Sequence, residues 1–345
     1  MKILIDHQAP FLLAHGGVQN QIEQTKSALE RRGLDVEFVR WWDDRQQGTL
    51  IHSFGIPSRQ YLDLARRNNL PVLVTSVFSQ TCNRSDTFLK AQGLIVQSLI
   101  RMPGWGSIKR QLSWESYARV DCNLVGLFAE KAVLQNVYGV GEDRIQVVPL
   151  GLSEQFLNLP PAAAKEDYLI TTGTITPAKR AVELAGLAKS AQVPILFVGK
   201  PIHDLDPYWK QFQSLIDARF VRYQPHVEDV GTLITLLQKA RGFVLYSEYE
   251  NWSLAAHEAA ACGLPLLLPD LKWARERFGN GARYFPGNDS RANAASLVDF
   301  NRNAETTPSP NIKVWSWDEV AANLASIYET VSRSGRSKAI GADQR

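Results

Sequence analysis

The stretch LYSEYENWSLAAHEAAACGLPLLLP, residues 245–269, decides how the chain is read. An apolar run from Phe243 to Tyr246 leads into it and suits a buried strand. A polar elbow, residues 247–253, follows. Residues 254–262 are strong helix formers. Gly263 suits the position just past a helix, and Pro265 cannot continue one. The apolar run 264–268 reads as the next parallel strand. Ser253 is the expected N-cap, which leaves amide N–H groups of the elbow and first turn pointing outward. Such a terminus attracts anions. Glu250 on the elbow and Glu258 in the helix flank it, with seven residues between them. A phosphate there would have a hydroxyl-binding carboxylate on each side, matching the diphosphate, ribose diol and hexose hydroxyls of a nucleotide sugar. Two solvated carboxylates near a helix start have the same spacing.

Glu250-x7-Glu258, followed by Cys262-Gly263-Leu264-Pro265, resembles the E-x7-E signature of retaining glycosyltransferases of family 4. The fold this implies is α/β of the GT-B type, two Rossmann-like, doubly wound parallel-sheet domains facing a cleft. The resemblance implies that Glu250 touches the donor sugar and that Glu258 binds the ribose. It assigns the diphosphate to the backbone amides of Asn251, Trp252, Ser253 and Leu254.

A chain of 345 residues is long for one domain, so two are expected. With 38 basic and 35 acidic residues, the charge is too balanced to argue for a nucleic-acid partner. Cys82, Cys122 and Cys262 show neither metal spacing nor a disulfide framework, which suits a reducing cytosol. The start, MKILIDHQAP, lacks a signal-peptide core, and no apolar run approaches bilayer-spanning length. A soluble cytoplasmic protein is expected, with peripheral membrane contact left open.

The first half alternates strands and helices. Strands are expected over residues 2–6, 35–39, 50–54, 71–77 and 121–127, with helices over 18–32 and 129–138. The loop after the first strand carries His15, Gly16 and Gly17. The glycine pair resembles the family's glycine loop at the donor phosphate, or is a tight turn. A dinucleotide fingerprint is absent from it, which disfavours an oxidoreductase. His52 falls near the C-terminal end of a strand, where open α/β sheets place ligands, or is a structural histidine. Relatives often carry a His after the fourth strand; this chain has Val77, Phe78 and Ser79. Ser76 and Ser79 either line the acceptor side or end the strand. Residues 101–119 mix basic residues with Trp105, Trp114 and Tyr117, composing either an anionic-membrane contact or a solvated helix face.

Residues 151–167, with Pro160-Pro161, read as a linker. Strands are then expected over 168–172, 195–198, 220–223, 243–246 and 264–268, a doubly wound pattern. The loop Gly173 to Arg180 resembles the family's G-R-x-x-x-x-K-G loop, whose Arg and Lys neutralise the donor diphosphate. Gly173 and Lys179 match; Thr174 stands at the family's Arg, and Arg180 follows the Lys. The expectation is that Arg180 swings in to replace the lost cation. Asp204 and Asp206 look like a D-x-D metal motif but read better as a helix start, so no metal is expected.

The domains are therefore drawn as 1–150 on the acceptor side, a linker at 151–167, 168–315 for the nucleotide sugar, a helix at 316–332 packing back on the first domain, and a disordered tail at 333–345. The expected reaction is hexosyl transfer from a nucleoside diphosphate sugar to a glycan, lipid-linked or small-molecule acceptor, without a cofactor. The predicted catalytic residues are Glu250, Lys179 and Arg180. Two rivals stand beside it: a GT-B-like nucleotide-binding or scaffold protein with weak or no turnover, and a phosphorylase or synthase on the same fold.

Overall fold

The computed structural model describes all residues except 8–10, 12–15, 77, 79, 103–112 and 343–345, with backbone alone at 80 and 334–342. Its internal contacts divide it into two units. Unit 1 is Met1–Ala14, Val18–Gly151 and Trp317–Arg345; unit 2 is His15–Gly17 and Leu152–Ser316.

Unit 1 is built on a parallel six-stranded sheet in the order β2-β1-β3-β4-β5-β6. Its strands are β1 (Lys2–His7), β2 (Asp35–Phe38), β3 (Leu50–Phe54), β4 (Val72–Thr75), β5 (Cys122–Val125) and β6 (Ile145–Val147). Helices α1 (Gly17–Arg31), α2 (Arg59–Arg67), α3 (Asp86–Arg101) and α4 (Phe128–Tyr138) connect them. The strands are nearly continuous apolar runs because helices cover both faces of such a sheet; every residue of β3 is buried. Ser58 and Ser85 cap α2 and α3 by accepting the amide hydrogens of Tyr61 and Phe88. Helices α3 and α4 cross at Gly93, where a Cβ would lie 1.9 Å from the carbonyl oxygen of Asn136. At the start of α4, Glu130 reaches back to accept the amides of Gly126 (2.8 Å) and of the N-cap residue Leu127 (3.0 Å), the carboxylate half of a capping box.

The last helix, numbered α12 below, spans Trp317–Ala342 and belongs to unit 1. Val320, Leu324 and Tyr328 are buried along it, and Asp318 pairs with Arg31 at 2.8 Å. The helical backbone runs on past residue 332, where a disordered tail was expected. Alternating small and charged residues there lack an apolar stripe but include no Pro to end the helix.

Unit 2 holds a second parallel six-stranded sheet, in the order β12-β11-β10-β7-β8-β9. Its strands are β7 (Leu169–Thr172), β8 (Ile195–Gly199), β9 (Val221–Pro225), β10 (Gly242–Val244), β11 (Leu266–Pro269) and β12 (Arg283–Phe285). Its helices are α5 (Glu154–Leu157), α6 (Ala181–Ala191), α7 (Pro207–Gln213), α8 (Val230–Lys239), α9 (Leu254–Ala261), α10 (Lys272–Phe278) and α11 (Ser290–Asn303). The core packs Phe197, Phe212, Phe285 and Phe300 against the apolar faces of α6 and α11.

Two features of unit 2 depart from the sequence expectation. Edge strand β12 was not assigned from sequence, because three residues carry no readable period. Residues 152–167 are not a free linker. Gln238 donates to the carbonyl of Pro160 (3.0 Å), Lys165 to that of Ala240 (2.8 Å), and the Glu166 amide to that of Lys239 (2.7 Å). Backbone partners far away in sequence hold this Pro-rich stretch, and local composition does not show them.

Candidate functional site

The site forms in unit 2 where β7, β8 and β10 end. After β7 the chain turns at Gly173, whose φ of 147° only glycine adopts readily. The loop lies against the end of β8: the Gly173 amide donates to Val198 (3.0 Å) and the Ile175 amide to Lys200 (3.0 Å). Gly199 permits this approach, since a Cβ there would lie 1.8 Å from the Gly173 carbonyl oxygen. Gly173, Thr174, Lys179 and Leu245 help line a recess of about 20 Å³, room for roughly one water.

The loop then makes a short turn, Pro177–Lys179, and the elbow after β10 docks on it through the Glu248 amide, which donates to Ala178 (2.9 Å). This brings two of the three predicted catalytic residues together. Lys179 Nζ donates to Glu250 Oε1 at 2.5 Å, and Ser247 Oγ donates to the same oxygen at 2.8 Å. The Glu250 side chain is only 10% exposed, against 31% for Lys179, so the carboxylate is the enclosed partner and the ammonium the accessible one. A carboxylate with two donors on one oxygen keeps its second oxygen available to a hydroxyl.

Arg180 is placed differently from the expectation. Its backbone is left-handed, φ 51°, at the start of α6. Its guanidinium lies 4.4 Å from the centre of the Tyr246 ring, a cation–π contact. Tyr246 is fixed in turn by Asn293, whose Nδ2 donates to the phenol oxygen at 2.7 Å. In this conformation Arg180 is occupied with Tyr246 beside the elbow.

The elbow corrects the expectation for Ser253. That residue occupies the N-cap position of α9 but is left-handed (φ 56°, ψ 74°), and its hydroxyl makes no cap bond. Ser253 Oγ is buried without a hydrogen-bond partner among the described residues. A left-handed residue turns the side chain away from the first-turn amides, so those donors are left to something other than Ser253. Trp252 is buried, with the Arg277 guanidinium 3.7 Å from its ring centre and His257 stacked on it at 4.8 Å. Burial pushes His257 down to about 4, so its ring is neutral near pH 7. Its Nδ1 therefore donates to the Ser253 carbonyl (2.9 Å), which ties α9 back to the elbow. Asn251 and Leu254 are partly buried on either side.

Glu258 lies one turn into α9. Its side chain is half-buried by surface area, yet enclosed enough that desolvation pushes its carboxyl up to about 7. Cys262, one turn on, is buried, and burial together with Glu258 pushes its thiol up to about 12. Asp206 caps α7 by accepting the Tyr208 amide (2.9 Å), which is the helix-start role expected of it.

Two of the acceptor-side candidates, His52 and Ser76, sit in unit 1. His52 is buried in the core: Nδ1 pairs with the Tyr328 hydroxyl (2.8 Å) and Nε2 with Thr75 Oγ1 (2.7 Å). Burial pushes it down to about 3, so it is a neutral, fully engaged structural histidine, and the acceptor role is corrected. Ser76 is buried at the end of β4, its hydroxyl without a partner among the described residues. Gly16 has a φ of 133°, as a tight glycine turn requires, and Gly17 opens α1. His15 and Ser79 lie outside the described residues, as does most of the basic, aromatic stretch at 101–119. Sequence reasoning missed Ser247, Tyr246, Asn293 and Gly199. Ser247 stands three residues before Glu250 on the same elbow, a local signal that could have been used; the others depend on tertiary contacts.

Comparison with known proteins places the fold in a class. A sucrose-phosphate synthase from Thermosynechococcus elongatus superposes with a TM-score of 0.64 at 17% identity, over 96% of this chain and 99% of that one. Anabaena HepE in complex with UDP-glucose gives 0.60 at 14% identity, over 99% and 100%. The fold is GT-B, an α/β architecture with two parallel six-stranded sheets. Residues 169–303, all within unit 2, match the family described as Glycosyl transferases group 1. The O-antigen chain mannosyltransferase B of Escherichia coli is 23% identical over 209 residues, covering 54% of this chain and 55% of the relative. The match thus spans about half the length of that curated protein.

Proposed function

We propose that the chain is a retaining glycosyltransferase of family 4. It transfers a hexosyl group from a nucleoside diphosphate sugar to a glycan, lipid-linked or small-molecule acceptor in the cytoplasm. The observation that carries this reading is the Lys179–Ser247–Glu250 group on an elbow that enters α9 through Ser253, whose hydroxyl makes no cap bond. The relatives lend support in their own names: one is a mannosyltransferase, and one binds UDP-glucose.

On this reading each residue has a task. The amides of residues 251–254 and the helix dipole of α9 receive the diphosphate. Lys179, the more exposed member of its pair, turns from Glu250 toward the phosphate and neutralises charge that develops on the leaving group. Glu250, once released, accepts hydroxyls of the donor sugar, with Ser247 holding its orientation. Glu258 accepts from the ribose diol. Gly16, Gly17, Gly173 and Thr174 let backbone approach the donor, and Arg180 leaves Tyr246 to supply the second cation. Unit 1 selects the acceptor. Neither a cofactor nor a metal ion is required.

A second reading has a specific observation behind it. Lys179 is tied to Glu250, Arg180 lies on Tyr246, and Thr174 is uncharged. If both cations stay where they are, the pocket binds nucleotide with weak turnover or none. A thermal-shift series with UDP, GDP, ADP and dTDP on the wild type and Glu258→Ala separates the cases. A nucleotide that raises the melting temperature only in the wild type identifies the donor base, and release of that nucleotide from its hexosyl conjugate establishes transfer or hydrolysis. Binding without release favours the scaffold, and no shift with any nucleotide overturns the donor-site assignment.

A further inference from the structure

Helix α3 of unit 1 has two apolar faces, and the core uses only one. Leu89, Gly93 and Val96 face inward. On the opposite face Phe88 is 55% exposed, Leu94 74%, Ile95 63%, and Met102, just past the helix, 47%. Ala91 and Ser98 complete the same exposed row. The spacing runs at three, four and seven residues, so these side chains form one stripe along about four turns. Four large apolar side chains in one row differ from the scattered single exposures of an ordinary surface.

The charges around the stripe are mainly of one sign. Arg84, Lys90 and Arg101 are exposed along it, against Asp86 alone. Arg84 is held over the stripe: its guanidinium lies 5.0 Å from the Phe88 ring centre, and Nη1 donates to Gln92 at 2.6 Å. An apolar row edged by cations fits an anionic lipid surface, with side chains entering the acyl boundary and cations meeting headgroup phosphates. Among the described residues no helix is long and apolar enough to cross a membrane, so the contact is with its surface.

We propose that the outer face of α3 is a peripheral docking surface for an anionic lipid bilayer. The proposal is independent of donor chemistry and holds whether or not the chain transfers sugar.

The test is co-sedimentation of the full chain with vesicles of phosphatidylcholine alone or with phosphatidylglycerol added, at low and high salt. The expected result is binding that requires phosphatidylglycerol and weakens with salt. Phe88→Ser/Leu94→Ser/Ile95→Ser should reduce it at least about tenfold, equivalent to about 1.4 kcal/mol. Arg84→Glu/Lys90→Glu should abolish the preference for phosphatidylglycerol. Both variants change exposed side chains, so their melting temperatures should match the wild type, which separates lost docking from lost fold. Absence of binding at low salt overturns the proposal, as does equal binding to both vesicle types. Self-association in sedimentation that the serine variant abolishes, with no vesicle binding, would instead assign the face to a second copy of the chain.

Discussion

Gly199→Ala is the sharpest perturbation of the phosphate-side loop. The new methyl would lie 1.8 Å from the Gly173 carbonyl oxygen and 2.9 Å from its carbon, both backbone atoms. Relief requires the strand ends to part by at least about 1.2 Å. The hydrogen bonds from Gly173 to Val198 and from Ile175 to Lys200, both 3.0 Å, resist that movement. Losing them costs about 1 kcal/mol each, and residual overpacking adds about 1–3 kcal/mol. The expected loss is about 3–5 kcal/mol, which lowers the melting temperature by roughly 6–20 °C for a domain of this size. Because the displaced loop carries Thr174 and Lys179, nucleotide-induced stabilisation should fall as well. Differential scanning fluorimetry with and without nucleotide measures both. Gly186→Ala is the control: that glycine is exposed in α6 with nothing within 4 Å of the added Cβ, so it should gain about 0.5–1 kcal/mol. A Gly199→Ala protein that melts within about 2 °C of the wild type and still responds to nucleotide would refute the close approach of the two strand ends.

Lys179→Ala leaves the Glu250 carboxylate nearly enclosed with Ser247 as its remaining donor; stability should fall by about 1–3 kcal/mol and transfer by about 10²–10³-fold, read by urea unfolding and nucleotide release. Glu258 gives a pH signature. Its carboxyl titrates near 7 folded and near the ordinary carboxylate value unfolded, so the folded state holds the proton longer and stability is lost as pH rises through roughly 4.5 to 7, by at most about 3 kcal/mol. Glu258→Gln should flatten that slope between pH 5 and 8, and an unchanged slope in urea titrations would contradict the burial of this group. Tyr328→Phe removes the partner of His52 Nδ1, costing about 1–3 kcal/mol while leaving the nucleotide-dependent thermal shift intact; loss of that shift would mean His52 does more than hold unit 1 together.

Much of this molecule was legible along the chain. The apolar runs of β1, β3, β7 and β8 are continuous because strands covered on both faces admit few polar residues, and their positions followed from composition. The segment from Phe243 to Leu268 was readable as strand, elbow, helix and strand, with Gly263 marking the helix end. Glu250 and Glu258 were readable as a pair because their spacing is local.

Tertiary structure decided what depends on residues distant in sequence. Lys179 and Glu250 are 71 positions apart, and only the docking of one loop on the next makes them an ion pair. His52 is structural because Tyr328, 276 residues away, occupies one nitrogen and Thr75 the other. Ser253 failed as a cap because the elbow's backbone entered α9 from the left-handed region, a conformation that residue type alone does not reveal. Arg180 was placed by a Tyr246 ring fixed through Asn293. The sequence by itself determined where most strands and several helices form and which chemical groups border each loop, since hydrophobic period and end signals act over a few residues. Which of those groups meet, and which are enclosed, was decided by the sheet order, because burial and pairing are properties of the packed chain.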